Sequence, residues 1–143
     1  VTLFDIGAKV PFIVRAPGLS KSGVKSEAMI ELVDIYPTLA DLAGLKAPIH
    51  LQGSSLRPLL GHPERLGKKK FAYSVVTRGP KNLGYALRNQ NWRYGKWPDG
   101  EELYNLRSDP QEKNNLAQKE HFKDRLDVFR KALTRQQELI QQN

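Results

Sequence analysis

Four short runs of β-branched and aromatic residues, held apart by turn tracts between Phe71 and Leu106, constrain this 143-residue chain more than any other feature. Phe71-Ala72-Tyr73-Ser74-Val75-Val76-Thr77 is strand-like, because such side chains fill a half-buried pleated surface. Tyr85 to Arg88 and Trp92 to Trp97 flank Asn89-Gln90-Asn91, the pattern of two antiparallel strands around a turn. Pro98-Asp99-Gly100 signals the next turn, and Glu102-Leu103-Tyr104-Asn105-Leu106 is a closing strand. The expectation is a small four-stranded antiparallel sheet that needs an apolar cover. His121 to Gln141 supplies one, since Phe122, Leu126, Phe129 and Leu133 recur at helical spacing. Lys123, Asp124, Arg125, Asp127, Arg130 and Lys131 occupy its other faces, as on a helix lying against a sheet. Trp92, Tyr94 and Trp97 alternate with Arg93, Gly95 and Lys96, which predicts one aromatic and one basic strand face. Packing beneath the terminal helix and stacking on a sugar or base are both open to these aromatics.

Upstream the signals are different. Val10 to Arg15 is a β-branched and aromatic run stopped by Ala16-Pro17-Gly18, predicting a buried strand and a turn. Gly18 to Ser26 is a polar loop, and Ala28 to Val33 is either a second short strand or a lead-in to a helix. Asp34 offers an N-cap, Pro37 sits in a first turn where it does no harm, and Gly44 is a left-handed stop. Ile35, Leu39, Leu42 and Ala43 fall on one face of the helix between them. Leu45 to Lys70, punctuated by Pro48, Gly53, Pro58, Gly61, Pro63 and Gly67, predicts an extended connection with one helical turn near Leu56 to Leu60. A composition shift divides the chain into residues 1–62 and 63–143.

The formal net charge is +8 and unevenly placed. Arg65, Lys68, Lys69, Lys70, Arg78, Lys81, Arg88, Arg93 and Lys96 fall between Arg65 and Pro98 with no Asp or Glu among them. Such a stretch either draws anionic ligands or is a solvated basic surface. The absence of Cys excludes disulfides and thiolate metal sites. No apolar run approaches the roughly 20 residues that cross a bilayer as a helix.

Three stretches occur in an order that resembles the late segment of a sulfatase. They are Val10-Pro11-Phe12-Ile13-Val14-Arg15-Ala16-Pro17-Gly18, Asp34-Ile35-Tyr36-Pro37-Thr38-Leu39-Ala40-Asp41-Leu42-Ala43-Gly44, and Leu51-Gln52-Gly53-Ser54-Ser55-Leu56-Arg57-Pro58-Leu59-Leu60. Gly84-Tyr85-Ala86-Leu87-Arg88, Trp92-Arg93-Tyr94, Glu102 to Leu106, and Asp109-Pro110 through Leu116 resemble the C-terminal subdomain of that family. Phe4-Asp5, Ala72-Tyr73-Ser74 and Gly84-Tyr85 ahead of Arg93-Tyr94 are similar to its iduronate-2-sulfatase-like branch. The resemblance implies an α/β class: the end of an alkaline-phosphatase-like large domain over residues 1–62, and a sheet-and-helix subdomain over residues 63–143. It implies hydrolysis of sulfate esters of a sulfated carbohydrate, with a formylglycine nucleophile and bound calcium. Family members make the nucleophile from a Cys or Ser near their own N-terminus, and an active-site lysine precedes the aromatic-acid pair matched by Phe4 and Asp5. By that spacing the lysine falls just before Val1. The chain is therefore expected to be a C-terminal fragment, inactive alone, that needs the missing N-terminal part as its partner. The resemblance is compatible with a periplasmic, secreted or lysosomal parent and selects none of these.

Arg78 is the principal candidate substrate residue. It follows the Phe71–Thr77 strand and precedes Gly79-Pro80, and Arg suits sulfate or carboxylate through a bidentate fork. In the resembled branch an Arg at this place faces the active-site mouth. Lys81 is its weaker companion, and a solvated loop position is the alternative for both. No catalytic residue and no metal ligand is expected within the chain. Asp34 and Asp41 fit helix positions better than a calcium site, and His50, His62 and His121 lack a second ligand at metal spacing. No serine-nucleophile elbow or glycine-rich phosphate loop occurs. Two other functions compete: a basic module for nucleic acid or another polyanion, without a nucleic-acid signature to support it, and a fragment of a related phosphodiesterase or phosphonate hydrolase. Nucleic acid is not the expected partner, and no membrane segment is expected.

Overall fold

The computed structural model describes residues 2–80 and 82–141. In chain order the elements are α1 (Asp5–Ala8), a 3-10 turn (Leu32–Asp34), α2 (Ile35–Leu42), α3 (Arg57–Gly61), β1 (Ala72–Thr77), β2 (Leu83–Arg88), β3 (Trp92–Trp97), β4 (Gly100–Asn105), a second 3-10 turn (Glu120–Phe122) and α4 (Lys123–Gln141). The described residues divide into two compact units, one built from residues 2–10 and the described part of 71–141, the other from residues 11–70.

The first unit is a meander of order β1-β2-β3-β4, antiparallel throughout, as the alternation of strand and turn signals predicts. Register follows from the short turns: Ala86 lies opposite Gly95, Leu87 opposite Tyr94, and Tyr94 opposite Leu103. Side chains alternate across the sheet, so Leu87, Tyr94 and Leu103 share one face. Leu126, Phe129 and Leu133 of α4 meet them there and form the core. Phe129 is 1% exposed, and burying such a ring contributes roughly 2–3 kcal/mol. Tyr94 and Phe71 pack their rings on it at 5.9 and 5.3 Å between centroids. The opposite face is covered by the N-terminal segment, with Leu3 buried against Ala86 and Trp97. The outer edge of β4 is closed by the following loop: Leu116 N–H donates to Leu103 O at 2.8 Å, and Asn115 Oδ1 accepts from Leu103 N–H at 3.0 Å. Satisfying those groups removes an open strand edge.

Trp97 corrects the expected aromatic face. Trp92 and Tyr94 do lie on the helix side, Trp92 against Phe122 and Tyr94 against Phe129. Trp97 is three residues beyond Tyr94, and the two-residue period sends it to the other face with Arg93.

In the second unit α2 is present but does not bury the expected face. Pro37, Thr38 and Ala40 are buried, whereas Leu39 and Ala43 are exposed. The reason is the hydroxyl of Thr38, which donates to Asp34 O at 2.5 Å and accepts from Leu56 N–H at 2.8 Å, turning that side inward. Asp34 is not the side-chain cap of α2. Its carboxylate closes the preceding 3-10 turn, accepting from Glu31 N–H at 2.9 Å. Ala28 to Val33 is thus a lead-in rather than a strand, and α3 supplies the helical turn expected near Leu56 to Leu60.

Val10 to Arg15 is not a strand in this structure. The segment has no regular secondary structure and belongs to no sheet, and Ile13 is 92% exposed. A strand is completed by a neighbour that takes its N–H and C=O groups. No strand among the described residues pairs with this one.

Candidate functional site

The hairpin loop between β1 and β2 carries Arg78. Thr77 Oγ1 donates to Gly79 O at 2.6 Å, and Arg78 N–H donates to Asn82 O at 2.8 Å. Gly79 has φ +92°, a conformation that favours glycine. The loop therefore holds Arg78 at its tip, with the guanidinium carbon 4.2 Å from the centroid of the Trp97 ring. Trp97 in turn lies against Gly84, where an added Cβ would come within 2.5 Å of the ring. Arg78 is exposed, while the ring beneath it is buried. Lys81, the second candidate, lies outside the described residues.

A second arginine cluster lies on the same sheet face. Arg93, 1% exposed, has its guanidinium between the rings of Phe4 and Tyr104, at 4.5 and 4.7 Å from their centroids. Its Nε donates to Glu112 and its Nη2 to Glu102 at 3.2 Å. Glu112 has φ +54° and also accepts from Asp5 N–H at 2.7 Å. Arg88 grips the Asp5 carboxylate through Nε and Nη2, at 2.9 and 3.0 Å. These bonds tie residues 4 and 5 to the sheet. They are what the pairing of Phe4 with Asp5 does locally.

In the second unit, Lys69 Nζ donates to Asp34 Oδ1 at 2.8 Å and also to Glu31, and Ser54 N–H donates to Asp34 Oδ1 at 2.8 Å. Beside this cluster is a cavity of about 370 Å³ lined by Met29, Leu56, Leu59, Arg65 and Lys68 among others. Asp41 is occupied by Ser55 and Arg57, and these hydrogen bonds hold its carboxyl below the usual carboxylate range.

The basic stretch is thus not one bare face. Lys69, Arg88, Arg93 and Lys96 each pair with a carboxylate from outside the stretch: Asp34, Asp5, Glu112 and Glu101. Arg65, Lys68, Lys70 and Arg78 are exposed. Sequence reasoning singled out Arg78 but missed its contact with Trp97 and the buried Arg93. Counting strand parity from Tyr94 would have placed both on the face away from α4. Among the described residues no three His, Cys, Asp or Glu side chains converge, so these residues do not fit a calcium site.

The family described as N-sulphoglucosamine sulphohydrolase, C-terminal, matches residues 2–139. Arylsulfatase K of Homo sapiens is 32% identical over 135 residues, which is 83% of this chain and 24% of that protein. A sulfatase of Formosa agariphila is 34% identical over 132 residues, 92% of this chain and 25% of that protein. A protein solved in complex with its substrate, D-glucosamine-2-N,6-O-disulfate, superposes with a TM-score of 0.84 at 28% identity, over 92% of this chain and 28% of its own. The chain spans about a quarter of the length of the curated relatives it matches.

Proposed function

Because this chain belongs to the N-sulphoglucosamine sulphohydrolase C-terminal family, we propose that it is the closing portion of a sulfatase that hydrolyses sulfate esters of a sulfated sugar. The observation that carries this reading is the family match over residues 2–139, nearly the whole chain. The likeness to sulfatases over 83% and 92% of the chain supports it.

In the parent protein, residues 1–62 end the large domain and residues 63–143 form the C-terminal subdomain. The second unit supports a neighbour of that kind. Ile13, Leu39 and Ile49 are 92%, 60% and 103% exposed, more apolar surface than a finished core leaves out. The Val10–Arg15 run is then a strand whose partners belong to the large domain. Within the chain, Arg78 and Lys81 are the substrate-facing cations. Arg78 offers a planar fork of N–H donors to a sulfate or carboxylate of the sugar. The calcium implied by the family has no cluster of donor side chains among the described residues, and we assign it, with the formylglycine nucleophile, to the rest of the parent. The polyanion-module alternative loses ground, because carboxylates outside the basic stretch pair with Lys69, Arg88, Arg93 and Lys96.

Full-length protein and the isolated 143-residue chain are compared on a chromogenic aryl sulfate and on sulfated glucosamines. The full-length protein turns over at least one of them and the isolated chain turns over none. Turnover by the isolated chain, or a full-length protein that cleaves phosphonate esters but no sulfate ester, would overturn the reading.

A further inference from the structure

We propose that Trp97 is the positioning residue for Arg78, an aromatic shelf that holds the guanidinium plane ready for an anionic group of the substrate. This rests on the reading of Arg78 as substrate-facing. A guanidinium has five N–H donors, all in its own plane. Stacking on a ring uses its face and leaves the donors at its edge available. The Arg78 carbon sits 4.2 Å from the Trp97 centroid, within cation–π range. Among the described residues no carboxylate takes its donors. Arg88 and Arg93 are the contrast. Arg88 grips Asp5, and Arg93 is 1% exposed with its Nε and Nη2 on Glu112 and Glu102 and its Nη1 buried, so neither presents an open fork to a ligand.

The shelf itself is fixed. Trp97 is 7% exposed and clusters with Leu3 and Ala86, with Val76 packed alongside. Gly84 allows the ring to lie flat on β2, since a Cβ there would meet three ring carbons at 2.5–2.7 Å. The loop is fixed at the other end of the side chain by the Arg78 N–H to Asn82 O bond and the Thr77 hydroxyl to Gly79 O bond. Both ends of Arg78 are therefore held before a ligand arrives, and less rotamer freedom remains to be lost on binding. The ligand class is a sulfated or carboxylated sugar, held by its anionic group against two coplanar N–H donors.

The test uses the full-length protein and D-glucosamine-2-N,6-O-disulfate as probe. Arg78→Ala raises KM about tenfold, the scale of one charge-assisted hydrogen-bonded contact, with kcat changed by about twofold or less. Trp97→Leu raises KM by about the same factor and adds little in the Arg78→Ala background, because it acts through that side chain. Trp97→Phe, which keeps an aromatic in the cluster, raises KM by a smaller factor of about three. Independent, multiplicative effects of the two substitutions would overturn the positioning role and leave Arg78 as a substrate residue. An unchanged KM in Arg78→Ala would overturn both.

Discussion

Replacing Arg93 by Met removes a guanidinium from a site where nothing else can take its place. Arg93 is 1% exposed, and the carboxylate of Glu112 that it holds is on a side chain 3% exposed. Met preserves most of the apolar stem but leaves the buried Glu112 side chain without its partner. Removing one partner of a buried pair costs about 3–5 kcal/mol, most of it from the uncompensated charge. Loss of the two stacking contacts, on Phe4 and Tyr104, adds roughly 0.5–1 kcal/mol each. Part of this is recovered if the Asp5 N–H, which donates to Glu112 at 2.7 Å, continues to solvate the carboxylate. The expected loss is therefore about 4 kcal/mol. Urea unfolding followed by tryptophan fluorescence measures it, since Trp92 and Trp97 are both on β3 and report on this unit. With a slope of about 1–2 kcal/mol per molar, the midpoint falls by about 2 M or more. The control is Arg93→Met with Glu112→Gln, which removes both charges and recovers at least about 2 kcal/mol of the loss. A single substitution costing under about 1 kcal/mol, or a double variant as unstable as the sum of its parts, would refute the account of a buried charge held by its partner.

Gly53→Ala puts a Cβ within 2.0 Å of Val33 O and 2.5 Å of its carbonyl carbon, backbone that cannot rotate aside, so the second unit loses about 2 kcal/mol or more. Thermal unfolding of the purified protein reads this, and an unchanged midpoint would contradict the close approach. Glu101 has its carboxyl lowered to about 2, first by hydrogen bonding to Arg130, with Tyr94 O–H and Lys96 assisting. A depressed folded value means that its stabilisation is present above the ordinary value of 4.5 and is lost as pH falls from there to about 2. Because Arg130 is 45% exposed and screened, the contribution is about 1 kcal/mol or less. Glu101→Gln should flatten the stability profile between those two pH values, and an unaltered slope would dismiss the assignment.

Much of the first unit was legible because its signals are local. The periods of two and about 3.6 residues follow from backbone geometry, so β1–β4 and α4 stand within two residues or so of where the apolar pattern puts them. The same arithmetic, carried one step further, separates Trp97 from Tyr94. Val10–Arg15 shows where local signals stop, since its composition favours a strand but strand formation requires a partner from another segment. The apolar face of α2 fails for a related reason. Leu39 suits a core, yet the hydroxyl of Thr38, bonded to Leu56 N–H eighteen residues on, decided which side turned inward.

Charge was the least legible property. The stretch from Arg65 to Pro98 has nine cations and no acid, and composition alone makes it a basic surface. Folding brings Asp5 to Arg88 across 83 positions, Asp34 to Lys69 across 35, and Glu112 to Arg93 across 19. Ion pairing depends on separation in space, which falls off over a few ångströms and carries no trace in a linear pattern. The amino-acid order thus dictated the strands, the terminal helix and the loop bearing Arg78. Which arginines are neutralised, and that Arg78 lies over the Trp97 ring, emerged only when distant segments met.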